Sequence, residues 1–248
     1  MKKKIQNILQ QVLGFKRYLY WFAQFKIKTF KWDTGEKDFF HFVRMLKPNS
    51  HVLDIGSNIG VTTFHLAKKV YQGKVYSFEP IPPNFQTLEK IKQRYQLQNV
   101  ELFKLAIGNE NTEVEMVMPE VKNVQMQGLS HVVHEELTDF NYGQKFKAPL
   151  RKLDSLDIFN GQPIDGIKLD IENFEYFALK GGQTLIEQNQ PIIYAELWEN
   201  DNRYKCFDLM KTIGYSIHVL NGKGLVAYNA QKHVRQNFFF LPRKNKQS

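Results

Sequence analysis

The sequence has one cysteine, Cys206, in 248 residues. That excludes an internal disulfide and fits a reducing compartment such as the cytoplasm. Cys206 falls in a helical stretch, where packing suits it better than reactivity. Acidic residues are missing altogether from residues 1–32, although Lys2, Lys3, Lys4, Lys16, Arg17, Lys26, Lys28 and Lys31 all lie there. Of the net charge of +9, this segment supplies +8, so the remainder is nearly neutral. Long apolar runs are missing too. No uncharged stretch near the N-terminus, Tyr18–Phe25 included, is long enough to cross a bilayer, and no secretory leader is expected. Metal-spaced Cys/His clusters, internal repeats and low-complexity linkers are absent. What remains is one domain with a short extension: residues 1–32 as a basic, aromatic helical segment and residues 33–248 as the main body.

The main body is organised around Val52-Leu53-Asp54-Ile55-Gly56-Ser57-Asn58-Ile59-Gly60. Val52, Leu53 and Ile55 suit a buried parallel strand. Gly56 and Gly60 bracket a short loop, and a helical pattern starts at Val61. A strand, a glycine loop and a helix form a nucleotide cradle, because glycine lets the backbone turn sharply and approach a ligand. The dinucleotide fingerprint requires three glycines and places a pyrophosphate on the helix N-terminus. Here Ser57-Asn58 leave Gly-x-x-x-Gly, and Asp54 stands two residues before the first glycine. A carboxylate there repels pyrophosphate and attracts an ammonium, such as that of S-adenosylmethionine. Lys74–Phe78 reads as the next strand, closed by Glu79, 25 residues after Asp54. In doubly wound folds an acid at that place binds ribose hydroxyls.

Further along, Val100–Ile107 predicts a third strand, Ile164–Ile171 a fourth ending in Asp170, and Pro191–Leu197 a fifth with Glu196 near its end. By fold analogy the third strand ends beside the adenine, where Ala106 is small enough to allow it. Ser216–Leu220, Gly224–Tyr228 and Asn237–Leu241 read as short closing strands. A helix is expected from Glu36, and another from Phe174 toward Ile186. Residues 110–150 lose clear periodicity, apart from a possible strand at Val114–Met118. They suit a substrate-facing insertion, in which His131 and His134 are candidate bases.

Three stretches carry a resemblance. Residues 52–60, the strand ending Phe78-Glu79-Pro80, and Ile167-Lys168-Leu169-Asp170-Ile171-Glu172 resemble the FkbM family of S-adenosylmethionine-dependent methyltransferases, over about residues 36–242. Ser57 stands where the family usually has Ala, and Asn173 where it usually has Gly. Asn tolerates positive φ better than most residues. The resemblance implies an α/β class I methyltransferase: a Rossmann-like, seven-stranded doubly wound sheet with an antiparallel C-terminal hairpin. It implies S-adenosylmethionine as cofactor, held by Asp54, Gly56, Ser57, Asn58, Gly60, Glu79 and Ala106. The substrate class it carries is a hydroxyl on a sugar or polyketide, here a sugar of a small-molecule or lipid-linked glycan.

Asp170, Glu172 and Glu196 fall at strand ends, where such sheets bind ligands. They are the catalytic candidates, because an alcohol acceptor needs a base within reach. Glu175 is expected to brace the loop. The family also tends to carry an acid near Glu36. Asp170 and Glu196 offer oxygen ligands for Mg²⁺, but no third ligand is evident, so no metal is expected. Two alternatives remain. A nucleic-acid methyltransferase would suit the basic N-terminus, yet the Pro-Pro-aromatic motif of amino-methylating DNA enzymes is replaced by Asp170-Ile171-Glu172-Asn173. A non-catalytic binding module would not need intact Asp54, Gly56, Gly60 and Glu79. Residues 1–30 allow two readings: a helix packed over the core, or a peripheral helix on an anionic membrane or a partner.

Overall fold

Val52, Leu53 and Ile55 form the central strand of the molecule. The computed structural model describes residues 2–121, 124–133, 142–159 and 161–243. Its strands in chain order are β1 (His51–Ile55), β2 (Lys74–Phe78), β3 (Val100–Phe103), β4 (Ala106–Ile107), β5 (Thr112–Val121), β6 (Val124–Gln125), β7 (His131–Val132), β8 (Gly143–Arg151), β9 (Gly166–Leu169), β10 (Ile192–Glu196), β11 (Tyr215–Asn221), β12 (Gly224–Ala227) and β13 (Asn237–Pro242). The α-helices are α1 (Lys2–Leu13), α2 (Phe15–Thr29), α3 (Lys37–Met45), α4 (Val61–Lys69), α5 (Pro82–Arg94), α6 (Glu175–Gly181), α7 (Gln183–Asn189) and α8 (Asp201–Thr212).

The main sheet runs β12-β11-β13-β10-β9-β1-β2-β3. Strands β3, β2, β1, β9 and β10 are parallel, and β13 lies antiparallel between β10 and β11. This is the doubly wound α/β arrangement with an antiparallel end that the sequence predicts. The sheet has eight strands rather than seven. Gly222, at φ 62°, turns the chain within two residues and lays β12 back along the outer edge of β11, with His218 opposite Ala227.

Residues on β1 alternate between two apolar layers, as a strand covered on both faces must. Leu53 and Ile55 join Tyr76, Phe78, Ile167 and Ile193 beneath Leu179, Ile186, Phe207 and Met210. Val52 joins Val75, Tyr194 and Phe239 beneath Phe39, Phe42 and Leu66.

Three predicted elements change. The strand expected over Val100–Ile107 breaks at exposed Lys104: β3 stays in the main sheet, while β4 crosses to pair with β8. The aperiodic residues 110–150 contribute to a second sheet, β4-β8-β5-β6, with β7 also on β5. Its register, Thr112 opposite Leu150 through Pro119 opposite Gly143, is that of a long hairpin. Met116–Pro119 are buried on consecutive positions, which erases the period-two signal of a one-sided strand. The helix expected from Phe174 to Ile186 divides into α6 and α7 at Gly181-Gly182.

The N-terminal segment is two helices meeting at Gly14. Tyr18, Leu19, Ala23 and Ile27 of α2 are buried together with Ile59 in the glycine loop and Ile91 of α5. One face of α2 is thus part of the core. Replacing the fully buried Leu19 with Ala is expected to cost about 2–5 kcal/mol, read as a fall in midpoint during denaturant unfolding; an unchanged midpoint would show that α2 is not anchored to the body.

Candidate active site

The strand register builds a polar row through an apolar sheet. Asp54 on β1 lies opposite Ser77 on β2 and Lys168 on β9, and Lys168 lies opposite Tyr194 on β10. Asp54 is fully buried. Its carboxylate accepts from the hydroxyls of Thr63 at 2.6 Å and Thr62 at 3.0 Å, both in the first turn of α4. The Thr63 and Ser77 hydroxyls are 3.2 Å apart and share a hydrogen bond.

Lys168 places its ammonium 3.6 Å from Asp54 and 3.4 Å from Asp170. It also donates to the carbonyl of Gly56 at 2.8 Å. Burial alone would lower its pKa, but Asp170 and Asp54 outweigh that and raise it, so the ammonium stays charged. Asp54 therefore sits behind the glycine loop and, with Lys168, fixes it. It is not among the residues that line the adjacent pocket.

The loop folds back tightly over that pair. The amides of Gly56 and Ser57 both donate to Phe78 O, at 3.1 and 3.0 Å. The Ser57 hydroxyl donates to Asp54 O at 2.7 Å, turned away from the pocket lining. Gly56 has φ 79°, and a Cβ there would lie 1.9 Å from the Asp170 carbonyl oxygen. Only glycine lets the loop and the β9–α6 turn meet this closely. Gly60, also left-handed at φ 86°, precedes α4.

Glu79 ends β2 and faces the pocket. Its oxygens accept from the amides of Asn58 at 2.9 Å and Ile81 at 2.8 Å, tying the glycine loop to the start of α5. Burial raises its pKa to about 7, against the lowering by these amide bonds and Asn84.

Gly56, Asn58, Glu79, Ala106, Asp170 and Glu172 line one pocket with Asn84 and Gln127. Asn58 donates to the Gln127 carbonyl at 3.2 Å, so the second sheet closes one wall. The side-chain oxygens of Asn58, Asn84 and Gln127 are buried and have no partner among the described residues. Buried amide oxygens are costly when unpaired. Their clustering around Glu79 fits a ligand that brings hydroxyl and amino donors, as a nucleoside does. Lys168 enters the sequence reading only as part of the family block, with no role assigned, and Asn84 and Gln127 do not enter it. Lys168 had a usable signal, a cation inside an apolar strand, whereas Asn84 and Gln127 are common polar residues joined only by the fold.

The catalytic candidates gather at the strand ends. Asp170 is 36% exposed and follows β9. Glu172 and Asn173 take left-handed backbones, φ 54° and 75°. Asn173 does so where the family has Gly, held by Asn200 Nδ2 at 2.7 Å and Asn202 Nδ2 at 3.2 Å. Burial, with Asp170, Glu175 and Glu196 nearby, pushes Glu172 far above the usual carboxylate range. Burial and Asp170 raise Glu196 as well, although it lies outside the pocket lining. Glu36 is raised by burial and feels Asp170 and Lys168. Glu175 accepts from the Ile171 amide at 2.9 Å and braces the turn. His131 is buried, its Nδ1 bonded to the Leu129 carbonyl at 2.8 Å, outside the lining. His134 lies outside the described residues. Among the described residues no three His, Cys, Asp or Glu side chains converge to hold a metal ion.

A family model, the Methyltransferase FkbM domain, matches residues 54–236, well over half of the chain. The chain belongs to the FkbM methyltransferase family. Similar proteins include Methyltransferase 1 of Beauveria bassiana, 24% identical over 149 residues, covering 54% of this chain and 58% of that protein. Methyltransferase sdnD of Sordaria araneosa is 23% identical over 177 residues, covering 62% and 68%. The FkbM methyltransferase structure from Methylobacillus flagellatus superposes with a TM-score of 0.52 at 18% identity, covering 79% of this chain and 44% of that one. The match thus spans only part of the Beauveria protein and of the Methylobacillus chain. At that identity the structural likeness shows the shared fold. The family match covers the glycine loop, Glu79 and the Lys168–Glu175 block together.

Two outcomes follow from the buried charges. Lys168→Met strands Asp54 without its cation and is expected to destabilise the protein by about 3–5 kcal/mol. The double variant Lys168→Met/Asp54→Asn is expected to recover part of that loss. Strict additivity in a denaturant double-mutant cycle would show that the two side chains are not coupled.

The second concerns Glu175, whose pKa burial raises to about 8, above the ~4.3 of an unfolded chain. The folded state keeps a proton that the unfolded state releases, so this stability is full below about pH 4 and is lost as pH rises toward 8. Glu175→Gln is therefore expected to gain stability relative to the native protein between about pH 5 and pH 8. A difference independent of pH in chemical denaturation would contradict this.

Proposed function

We propose that the chain is an S-adenosylmethionine-dependent O-methyltransferase acting on a sugar hydroxyl of a small-molecule or lipid-linked glycan. The observation that carries this reading is the single pocket lined by Gly56, Asn58, Glu79, Asn84, Ala106, Asp170 and Glu172. S-adenosylmethionine supplies an electrophilic methyl group on a sulfonium. Glu79, with spare lone pairs beyond its two backbone bonds, suits the ribose hydroxyls, and Asn58, Asn84 and Gln127 suit polar edges of the nucleoside. Ala106 leaves room for a flat base.

Methyl transfer depends mostly on alignment of the acceptor oxygen with the methyl group. Asp170 faces the pocket, is partly open to solvent and is held by Lys168, so it suits the task of orienting the acceptor and taking its proton. Glu172, kept protonated by its surroundings, suits donation of a hydrogen bond to the acceptor rather than proton removal. The sugar class rests on the family resemblance and on this polar rim.

Calorimetry with S-adenosylhomocysteine, followed by a labelled-methyl screen of glycans, tests the reading. Glu79→Ala is expected to weaken cofactor binding by about 1.5–3 kcal/mol. Asp170→Asn is expected to retain binding and lose turnover. If the native protein does not bind S-adenosylhomocysteine, the fold serves only as a binding module and the reading fails. If it binds but Asp170→Asn turns over at the native rate, Asp170 shapes the turn and is not the base.

A further inference from the structure

The second face of the N-terminal hairpin is turned outward. On α1, Ile5, Ile8, Leu9 and Val12 recur at the three- and four-residue spacing of one helix face. All four are exposed, Ile8 at 59% and Val12 at 76%. The opposite side of α1 is the one that docks: Gln10 is buried and exchanges two hydrogen bonds with the backbone of Gln125 on β6, both at 3.1 Å. On α2, where the inner face is core, the outer face presents Arg17, Trp21, Phe25 and Lys28 at helical spacing, with Trp21 59% and Phe25 60% exposed. An amphipathic helix normally buries its apolar stripe; α1 buries a glutamine and exposes the stripe.

We propose that this outer face of α1 and α2 docks the protein on an anionic lipid surface. Charge complementarity identifies the occupant. Residues 1–32 hold eight cations and no acid, and Lys16, Arg17, Lys28 and Lys31 are exposed. Such a surface is drawn to a leaflet of anionic headgroups. The aliphatic stripe and the exposed rings then enter the headgroup–acyl boundary, as in interfacial helices. A second copy of the chain would bring the same cations against each other across a two-fold axis. A nucleic acid would pair with the cations but offer nothing apolar to four aliphatic side chains. No described helix is long and apolar enough to cross a membrane, so the attachment is peripheral. The docking helix is bonded to β6, two residues before Gln127 of the pocket wall. Attachment through α1 therefore holds one rim of the pocket near the lipid surface. The inference stands on the helices alone and does not depend on the cofactor or acceptor proposed above.

Because the side chains concerned are exposed, they can be changed without opening the core. Full-length protein is co-sedimented with vesicles of phosphatidylcholine alone and of phosphatidylcholine mixed with phosphatidylglycerol. The native chain is expected to bind only the anionic vesicles. Binding should weaken but persist between ~0.1 and ~1 M salt, as the Debye length falls from ~10 to ~3 Å. The variants Ile5→Glu/Ile8→Glu/Val12→Glu and Trp21→Glu/Phe25→Glu are each expected to keep the native melting temperature and to lose about tenfold or more in vesicle affinity. The proposal is overturned if the native protein ignores anionic vesicles, binds neutral ones equally, or binds as well after either set of changes. It is also overturned if sedimentation equilibrium finds a native dimer that the Glu variants dissociate, since the face then belongs to a second copy.

Discussion

Lys168 carries its ammonium into the middle of a parallel sheet, at 2% exposure, where an unpaired charge would be prohibitively expensive. Two carboxylates and two carbonyl groups meet it there: Asp54 on the neighbouring strand, Asp170 at the end of its own, and the backbone oxygens of Ile55 and Gly56. The pair is retained at a cost in desolvation. In return the turn after β1, the turn after β9 and the first helical turn of α4 are fixed relative to one another. Gly56 completes the arrangement, because any side chain there would collide with Asp170 O. The two loops that shape the pocket are thus locked by one buried cation.

That lock leaves the acids at the strand ends with different tasks. Glu79 is tied by two backbone amides and joins loop to helix. Glu175 is spent on the Ile171 amide. Asp170 is left half-open beside Lys168, while Glu172, on a strained left-handed backbone, is pressed toward its protonated form. Neighbouring carboxylates with environments this different can divide the roles of proton acceptor and hydrogen-bond donor.

The second sheet gives this common scaffold its particular pocket wall. It grows from the hairpin β5–β8, buries Met116, Met118 and Val132 against Ile81 and Phe174, and delivers Gln127 to Asn58. Loops and insertions placed on a rigid sheet are where recognition differs between members of one fold. Here the wall is reached from outside through β6, which carries α1.

The sequence by itself determined the central strand, the glycine loop and the acids that end the strands. Each depends on local physics: apolar β-branched runs, glycine where the backbone needs positive φ, and carboxylates at fixed offsets. It also determined that all the excess charge of residues 1–32 is basic. Only the tertiary structure decided what each group faces. Asp54 and Glu79 look equivalent in sequence, yet strand register turns Asp54 toward Lys168 and Thr63 and Glu79 toward the pocket. The second sheet was illegible because Met116–Pro119 of β5 are buried on consecutive positions, which removes the alternation that marks a strand. Which face of the N-terminal helices is buried was equally undetermined, since α1 and α2 are both amphipathic. Long-range contacts to Ile59, Ile91 and Gln125 settle that α2 joins the core with its apolar side while α1 turns its apolar side away.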